Sequence, residues 1–307
     1  MRAPQALAKL REFDLANAEL SVWTFKKSNS KRSRFRASAV VTTPELATEL
    51  RNLANRWIER CTEVEDYGLL ASVNDNSCLH LEADETIFPV LQDLVSLPPE
   101  EHLIENVSGL EGSTGYLVRM TLGDDTLHCV CRLTSDWKVK KRSSLLNLVF
   151  ERNELDLAGE QAFSIPKRFD FFVINDDVLV VNKPSFESIL DYKQTYVTSF
   201  SELQNDVGFQ GVFADMAVLV EFVGTNTTHL RRMAVVQERA HYQDPGFMER
   251  LRQVNQVRQW NIEFDADGKI VPSAETARTI VQVLLNHRLH SELTNNDFDV
   301  ASASPVG

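Results

Sequence analysis

The sequence predicts an α+β fold: an antiparallel meander sheet with helices packed on it, plus a smaller α+β N-terminal region. Strand-like segments follow one another through short polar turns between Tyr116 and Asn182, which favours hairpins over alternating βαβ units. Apolar residues recur at helical spacing around Leu50 and again after Pro184. With 43% hydrophobic and 25% charged residues over 307 positions, the composition is that of a globular chain long enough for two domains.

Residues 4–19 read as a short helix carrying Leu7, Leu10, Phe13 and Leu15. Leu20–Phe25 and Arg34–Val41 alternate as paired strands, with a Lys-, Ser- and Asn-rich hairpin tip between them. Thr43-Pro44-Glu45 opens a helix through a Thr cap, a proline in the first turn and an acid at the positive dipole end. Its stripe of Leu46, Leu50, Leu53 and Trp57 must pack on something, and Arg51, Arg56 and Arg60 take the other faces. Pro98-Pro99 breaks the following acidic stretch, and a Gly-rich turn spans Gly109 to Gly115. Tyr116–Leu122 and Leu127–Leu133 flank the turn signal Gly123-Asp124-Asp125, and Leu145–Phe150 and Gln161–Ile165 continue the strands. Phe169–Ile174 and Val178–Asn182 flank a second turn, Asn175-Asp176-Asp177. Helices are then expected over Phe186–Ser201, from Thr227 to about Tyr242, from Pro245 to about Trp260 and from Ser273 to His287. A small hairpin, Asn261–Phe264 with Lys269–Val271, interrupts them. The domains are expected at 1–112 and 113–303.

The formal net charge of −12 argues at first against a nucleic-acid partner, but it is unevenly spread. Lys26, Lys27, Lys31, Arg32, Arg34 and Arg36 give +6 with no acid among them, whereas residues 61–118 hold twelve acids and no Lys or Arg. A second basic knot lies at Lys138, Lys140, Lys141 and Arg142. Charges beyond a Debye length of about 8 Å are screened, so local potential decides binding. Alternation puts Arg32, Arg34 and Arg36 on one face of a strand, where planar guanidiniums suit phosphate oxygens. These ten basic residues are the expected DNA contacts, made to the backbone rather than to bases. Trp23, Phe25 and Phe35 are either stacking platforms or core. A third basic surface, with Arg231, Arg232, Arg239, Arg250, Arg252 and Arg258, is either a binding face or a solvated one.

Catalytic patterns are missing: neither a Gly-x-x-x-x-Gly-Lys-Ser/Thr phosphate loop nor a Gly-x-Ser-x-Gly nucleophile elbow occurs. Asp124-Asp125 and Asp176-Asp177 sit in turns, and Asp215 with Glu221 has no Lys nearby. Cys78, His80, His128, Cys129 and Cys131 are zinc-type ligands, but Cys129 and Cys131 are one residue apart, a spacing that on a strand suits core packing. No enzyme activity, metal or cofactor is expected. Without an 18-residue apolar run or a signal pattern, the chain reads as intracellular.

The run Phe169-Asp-Phe-Phe-Val-Ile-Asn-Asp-Asp-Val-Leu-Val-Val-Asn182 with Phe186-Glu187 resembles the central hairpin of the Kiwa KwaB-like family. Ile262–Asp265, Asp267–Ile270, Leu284-Leu285 and Leu289–Thr294 resemble its ending, so that the likeness covers roughly residues 115–300. The resemblance implies an anti-phage defence component, cytoplasmic and recruited to the inner membrane by a small multi-spanning partner. It further implies binding to double-stranded phage DNA that obstructs replication and transcription. A symmetric homodimer or higher homo-oligomer is the expected assembly. Two other readings stand beside this one: a metal-dependent nuclease with scattered carboxylates, and an adaptor whose acidic residues 61–118 dock the membrane partner or mask the basic arm.

Overall fold

A computed structural model describes residues 2–28, 34–105, 109–133, 145–151, 153–157 and 163–300. The chain forms two compact units, residues 1–67 with 72–190, and residues 68–71 with 191–307. It is α+β with a large, open, mostly antiparallel sheet. The division does not coincide with the one expected near residue 112, because N-terminal strands pair directly with strands beyond that point.

The first unit holds α1 (Arg2–Glu12), β1 (Glu19–Lys27), β2 (Phe35–Val40), α2 (Pro44–Arg60), β3 (Glu63–Asp66), β4 (Ser77–Glu82) and α3 (Phe88–Val95). It continues with β5 (Gly115–Leu122), β6 (Asp125–Arg132), β7 (Leu145–Glu151), β8 (Glu154–Leu157), β9 (Phe163–Pro166), β10 (Phe171–Ile174), β11 (Asp177–Val180) and α4 (Lys183–Ile189). Eight strands make one sheet in the order β2-β1-β5-β6-β10-β11-β4-β3, antiparallel except for the parallel pair β3-β4. The expected meander is thus interrupted. β7 to β9 leave it as a separate sheet, and β4 enters beside β11 from far upstream. The first helix is shorter than expected because Asp14 turns the chain, accepting from the backbone N–H of Ala16 (3.1 Å) and Asn17 (3.2 Å). The cap of α2 is as the sequence suggests: Thr43 Oγ1 accepts from the Leu46 N–H with Pro44 in the first turn.

Successive residues of the central strands point to opposite faces, and both faces are buried. On one face Val118, Met120, Leu127, Cys129, Cys131, Phe172 and Ile174 pack with Leu10, Leu46, Leu50 and Leu53 of α1 and α2 and with Leu148, Leu155 and Ile165 of the small sheet. On the other, Phe171 receives the rings of Phe88 from α3 (5.8 Å) and Phe186 from α4 (5.1 Å), both edge to face. Gly115 lies against the Phe25 ring; a Cβ there would collide with it and would stand 2.6 Å from the Cys131 carbonyl.

Two buried polar groups sit in this frame. Asp170 accepts from the Arg132 N–H (2.6 Å) and Arg168 Nε (3.0 Å), while its carbonyl receives the N–H groups of Val181 and Asn182. Burial raises its pKa in spite of these donors. His128 is fully buried on β6, its ring edge to face with Phe88. Neither ring nitrogen makes a hydrogen bond of good geometry, although the Val173 backbone lies close enough to favour the charged ring slightly. Burial, and then the charge of Arg119, pull its pKa from 6.5 to about 3.

The second unit is mainly helical: α5 (Tyr192–Asn205), α6 (Val207–Gly211), α7 (Ala217–Val223), α8 (Thr227–Arg239), α9 (Pro245–Arg258) and α10 (Ala277–Leu284), with the hairpins β12 (Glu263–Phe264)–β13 (Ile270–Val271) and β14 (Arg288–Ser291)–β15 (Asn296–Asp299). Asp191, at φ 60°, ends the preceding turn, so the single helix expected over Phe186–Ser201 is two. Asp206, Asn226 and Asp244 cap helices by accepting backbone N–H groups of their first turns. Asn255 imitates a strand, donating to the Ile262 carbonyl (2.8 Å) and accepting from its N–H (3.0 Å). Phe200, Leu203, Phe209, Leu230, Met233 and Leu284 are among the residues of its core.

Asp170→Ala removes the acceptor of two part-buried donors, the Arg132 N–H and the Arg168 guanidinium, so the unfolding free energy in urea should fall by about 2 kcal/mol. Because the folded pKa of His128 lies below the unfolded one, its contribution is whole above about pH 6.5 and is lost as pH falls toward 3. Each pH unit costs about 1.4 kcal/mol, roughly 5 kcal/mol over the interval. His128→Leu should flatten that part of the acid denaturation curve.

Candidate nucleic-acid interface

The β1–β2 hairpin brings the described part of the basic cluster together. Lys26 stands directly opposite Arg36 in the register and so shares its face, and Lys27 stands opposite Phe35. The Ser28 N–H donates to the Arg34 carbonyl (2.8 Å), which extends the ladder and puts Arg34 on the face of Arg36. Arg34 and Arg36 are exposed and Lys26 is half-buried. Among the described residues none of these three forms an ion pair. Lys27 differs, because its Nζ donates to the Ser188 carbonyl at 2.6 Å and ties the strand end to α4. Lys31, Arg32, Lys138, Lys140, Lys141 and Arg142 lie outside the described residues.

The aromatic residues of the hairpin are core. Trp23, Phe25 and Phe35 are at most 1% exposed, and Phe25 meets Phe35 edge to face at 6.0 Å. They stiffen the base of the hairpin and leave the cations to make any contact.

β3, with exposed Glu63, Glu65 and Asp66, is the opposite edge strand of the same sheet from β2. Seven interstrand spacings of about 4.8 Å separate the two edges by roughly 34 Å. Glu100 and Glu101, also exposed, follow in the short turn of helix whose neighbour Ile104 donates to the Ala39 carbonyl of β2 (2.9 Å). The acidic stretch is therefore split between both edges of the sheet.

Most arginines of the helical unit are employed within it. Arg239 donates to the Leu285 carbonyl (2.9 Å), Arg252 to the Gly268 carbonyl (3.0 Å), and Arg250 and Arg258 lie 3.5 and 3.8 Å from Asp244 and Glu292. The carboxylates of Asp125, Asp177 and Asp215 are likewise engaged. Asp125 accepts from Asn175 (2.7 Å), Asp177 pairs with Arg2 (3.0 Å) and His80 (3.0 Å), and Asp215 caps α7 through the Ala217 N–H. Among the described residues no three His, Cys, Asp or Glu side chains converge on a metal position. The five zinc-type residues fall on β4 and β6, three strand spacings or about 14 Å apart. Cys129 and Cys131 share one buried face, as their spacing suggests, and burial pushes both thiols up.

No helix among the described residues is long and apolar enough to cross a membrane. The model of the Kiwa protein KwaB-like family matches residues 110–294, from the approach to β5 into the β14–β15 hairpin, leaving the basic hairpin outside. No curated protein matches the chain, and no solved structure does. The family model spans more than half of the sequence and takes in strands of the large sheet together with all six helices α5 to α10, so the chain belongs to the Kiwa protein KwaB-like family and is a component of the Kiwa anti-phage defence system.

Proposed function

We propose that the chain is a non-enzymatic effector that binds double-stranded phage DNA through phosphate contacts and obstructs its replication and transcription. Family membership supports the defence setting. The observation that carries the DNA reading is the face shared by Lys26, Arg34 and Arg36, three cations with no carboxylate partner among the described residues. Direct opposition of Lys26 and Arg36 is unfavourable for the hairpin by itself, since like charges facing across a ladder repel. An anion lying between them relieves that repulsion. Two guanidiniums and an ammonium on a stiff strand pair follow a phosphate backbone without reading bases.

A second reading concerns partners and rests on the acidic edge. Exposed Glu63, Glu65 and Asp66 on β3 suit a basic cytoplasmic surface of a small membrane-embedded partner, which would hold the protein at the inner membrane. With β2 and β3 at opposite edges, DNA and partner engage at once, the protein acting as a homodimer or larger homo-oligomer.

Duplex DNA titrated by fluorescence anisotropy should bind with a log K against log salt slope of about −3 or steeper, each neutralised phosphate contributing about 0.9. Scrambling the DNA sequence should leave the affinity unchanged. The triple variant Lys26→Glu, Arg34→Glu, Arg36→Glu should lose at least about a hundredfold in affinity; wild-type affinity in that variant would remove the hairpin from the interface. Plasmid incubated with Mg²⁺ or Mn²⁺ in the same tubes should stay intact, whereas cleavage would favour a metal-dependent nuclease. Arg36→Glu alone should weaken DNA binding yet stabilise the fold by about 0.2–1 kcal/mol by giving Lys26 an opposite charge, which thermal melts would register.

A further inference from the structure

Phe247, Arg250, Leu251 and Val254 stand at positions i, i+3, i+4 and i+7 of α9 and so share one face of that helix. Leu251 is buried in the helical core, Phe247 is half-buried, and Arg250 and Val254 are exposed. Val283 lies in the last turn of α10, Asn286 turns the chain at φ 57°, and Arg288 opens β14. These two stretches, together with Trp260, line one pocket of about 340 Å³ inside the second unit.

The groups around this pocket are held in place by their neighbours. Trp260 Nε1 donates to Asp297 (2.7 Å), whose other oxygen lies 2.9 Å from His290 Nδ1. Phe247 stacks on the His241 ring at 5.2 Å. Arg288 donates to Thr279 Oγ1 (2.9 Å), and its guanidinium stands over the Trp260 ring at 5.5 Å. Its carboxylate neighbour, Asp299 (3.5 Å), is shared with Arg278 (3.7 Å). Arg288 Nε is buried and has no hydrogen-bond partner among the described residues, which leaves the guanidinium with a donor uncommitted. Arg250 lies 3.5 Å from Asp244, but both side chains are largely exposed and water screens the pair.

We infer that this pocket binds a nucleoside monophosphate, its base stacked on the aromatic and guanidinium groups and its phosphate held by Arg250 and Arg288. The lining calls for three properties in one ligand. Phe247, Trp260 and the apolar side chains of Leu251, Val254 and Val283 suit a flat aromatic body. The two arginines require an anion, and their planar forks match phosphate oxygens. The exposed amide of Asn286 offers a donor and an acceptor side by side, the pattern that an adenine edge complements. A volume near the lower end of the usual 300–1,000 Å³ range for ligand pockets fits one nucleotide. The nucleotide is either free or the last one of an unpaired strand, since both carry the same base and phosphate. None of these groups belongs to the β1–β2 hairpin, so the inference does not rest on the DNA contacts proposed there.

Adenosine 5′-monophosphate titrated into the full chain should give saturable heat in a calorimeter and quench tryptophan fluorescence. Arg288→Gln should weaken binding at least about tenfold. Arg250→Gln should do the same, and because this side chain is exposed on α9 the variant keeps its fold. Trp260→Phe should retain a stacking ring and bind, yet lose most of the quenching. Inorganic phosphate, which has no base to stack, should bind at least about tenfold more weakly than the nucleotide. A 5′-phosphorylated single-stranded oligonucleotide that displaces the monophosphate names a strand end as the source; one that does not names the free nucleotide. No saturation at millimolar nucleotide, equal affinity for inorganic phosphate, or wild-type affinity in both arginine variants would overturn the assignment. So would loss of nucleotide binding in Lys26→Glu, Arg34→Glu, Arg36→Glu with both pocket variants unaffected, which would move the nucleotide to the hairpin.

Discussion

Burial of the central strands on both faces is the constraint on which the first unit depends. Neighbours such as Phe171 and Phe172 or Cys129 and Val130 point in opposite directions, and every one of them is removed from water. Each such side chain contributes about 1.5–3 kcal/mol only if a layer covers it. Hence α1, α2 and the small sheet are needed on one side and α3 and α4 on the other. A sheet enclosed in this way leaves no route for water to a polar group at its centre. Asp170 answers with several hydrogen bonds at the strand ends, and His128 by staying neutral.

The same enclosure explains what could be read in the sequence. Local patterns revealed the Thr43-Pro44 cap, the β5–β6 hairpin around Gly123, and the paired strands on either side of Asn175. Strand neighbours chosen across long separations were not legible. In Ser77–Glu82 all but the last residue are buried, with no alternation to mark a strand and nothing to show that β11 is its partner. The excursion of β7 to β9 has the local texture of a meander and differs only in where it pairs. The two compact units were not legible for the same reason, since β1 recruits β5 from beyond residue 112.

At the candidate interface, the shared face of Arg34 and Arg36 follows from strand alternation alone, and Lys26 joins them only once the register is known. Lys27 resembled its neighbours in the sequence but serves a carbonyl 161 positions away, a contact no local pattern encodes. The helical arginines show the converse: a sequence rich in positive charge need not present it when backbone carbonyls and acids absorb it. What separates the hairpin from that surface is the absence of carboxylate partners among the described residues.

The four residues Gly68–Ala71 belong to the helical unit although the chain around them belongs to the first, and Leu69 and Leu70 pack against a core otherwise built after Asp191. During synthesis these leucines leave the ribosome long before their partners do. At about 5–20 residues per second, the chain from Ala71 to the end of α10 needs roughly ten to forty seconds to emerge. For that time the loop is an uncovered apolar bump on a nascent chain whose β4 already follows it. Completion of the helical core then covers a segment made long before it, so two leucines of the early chain wait for partners translated more than a hundred residues later.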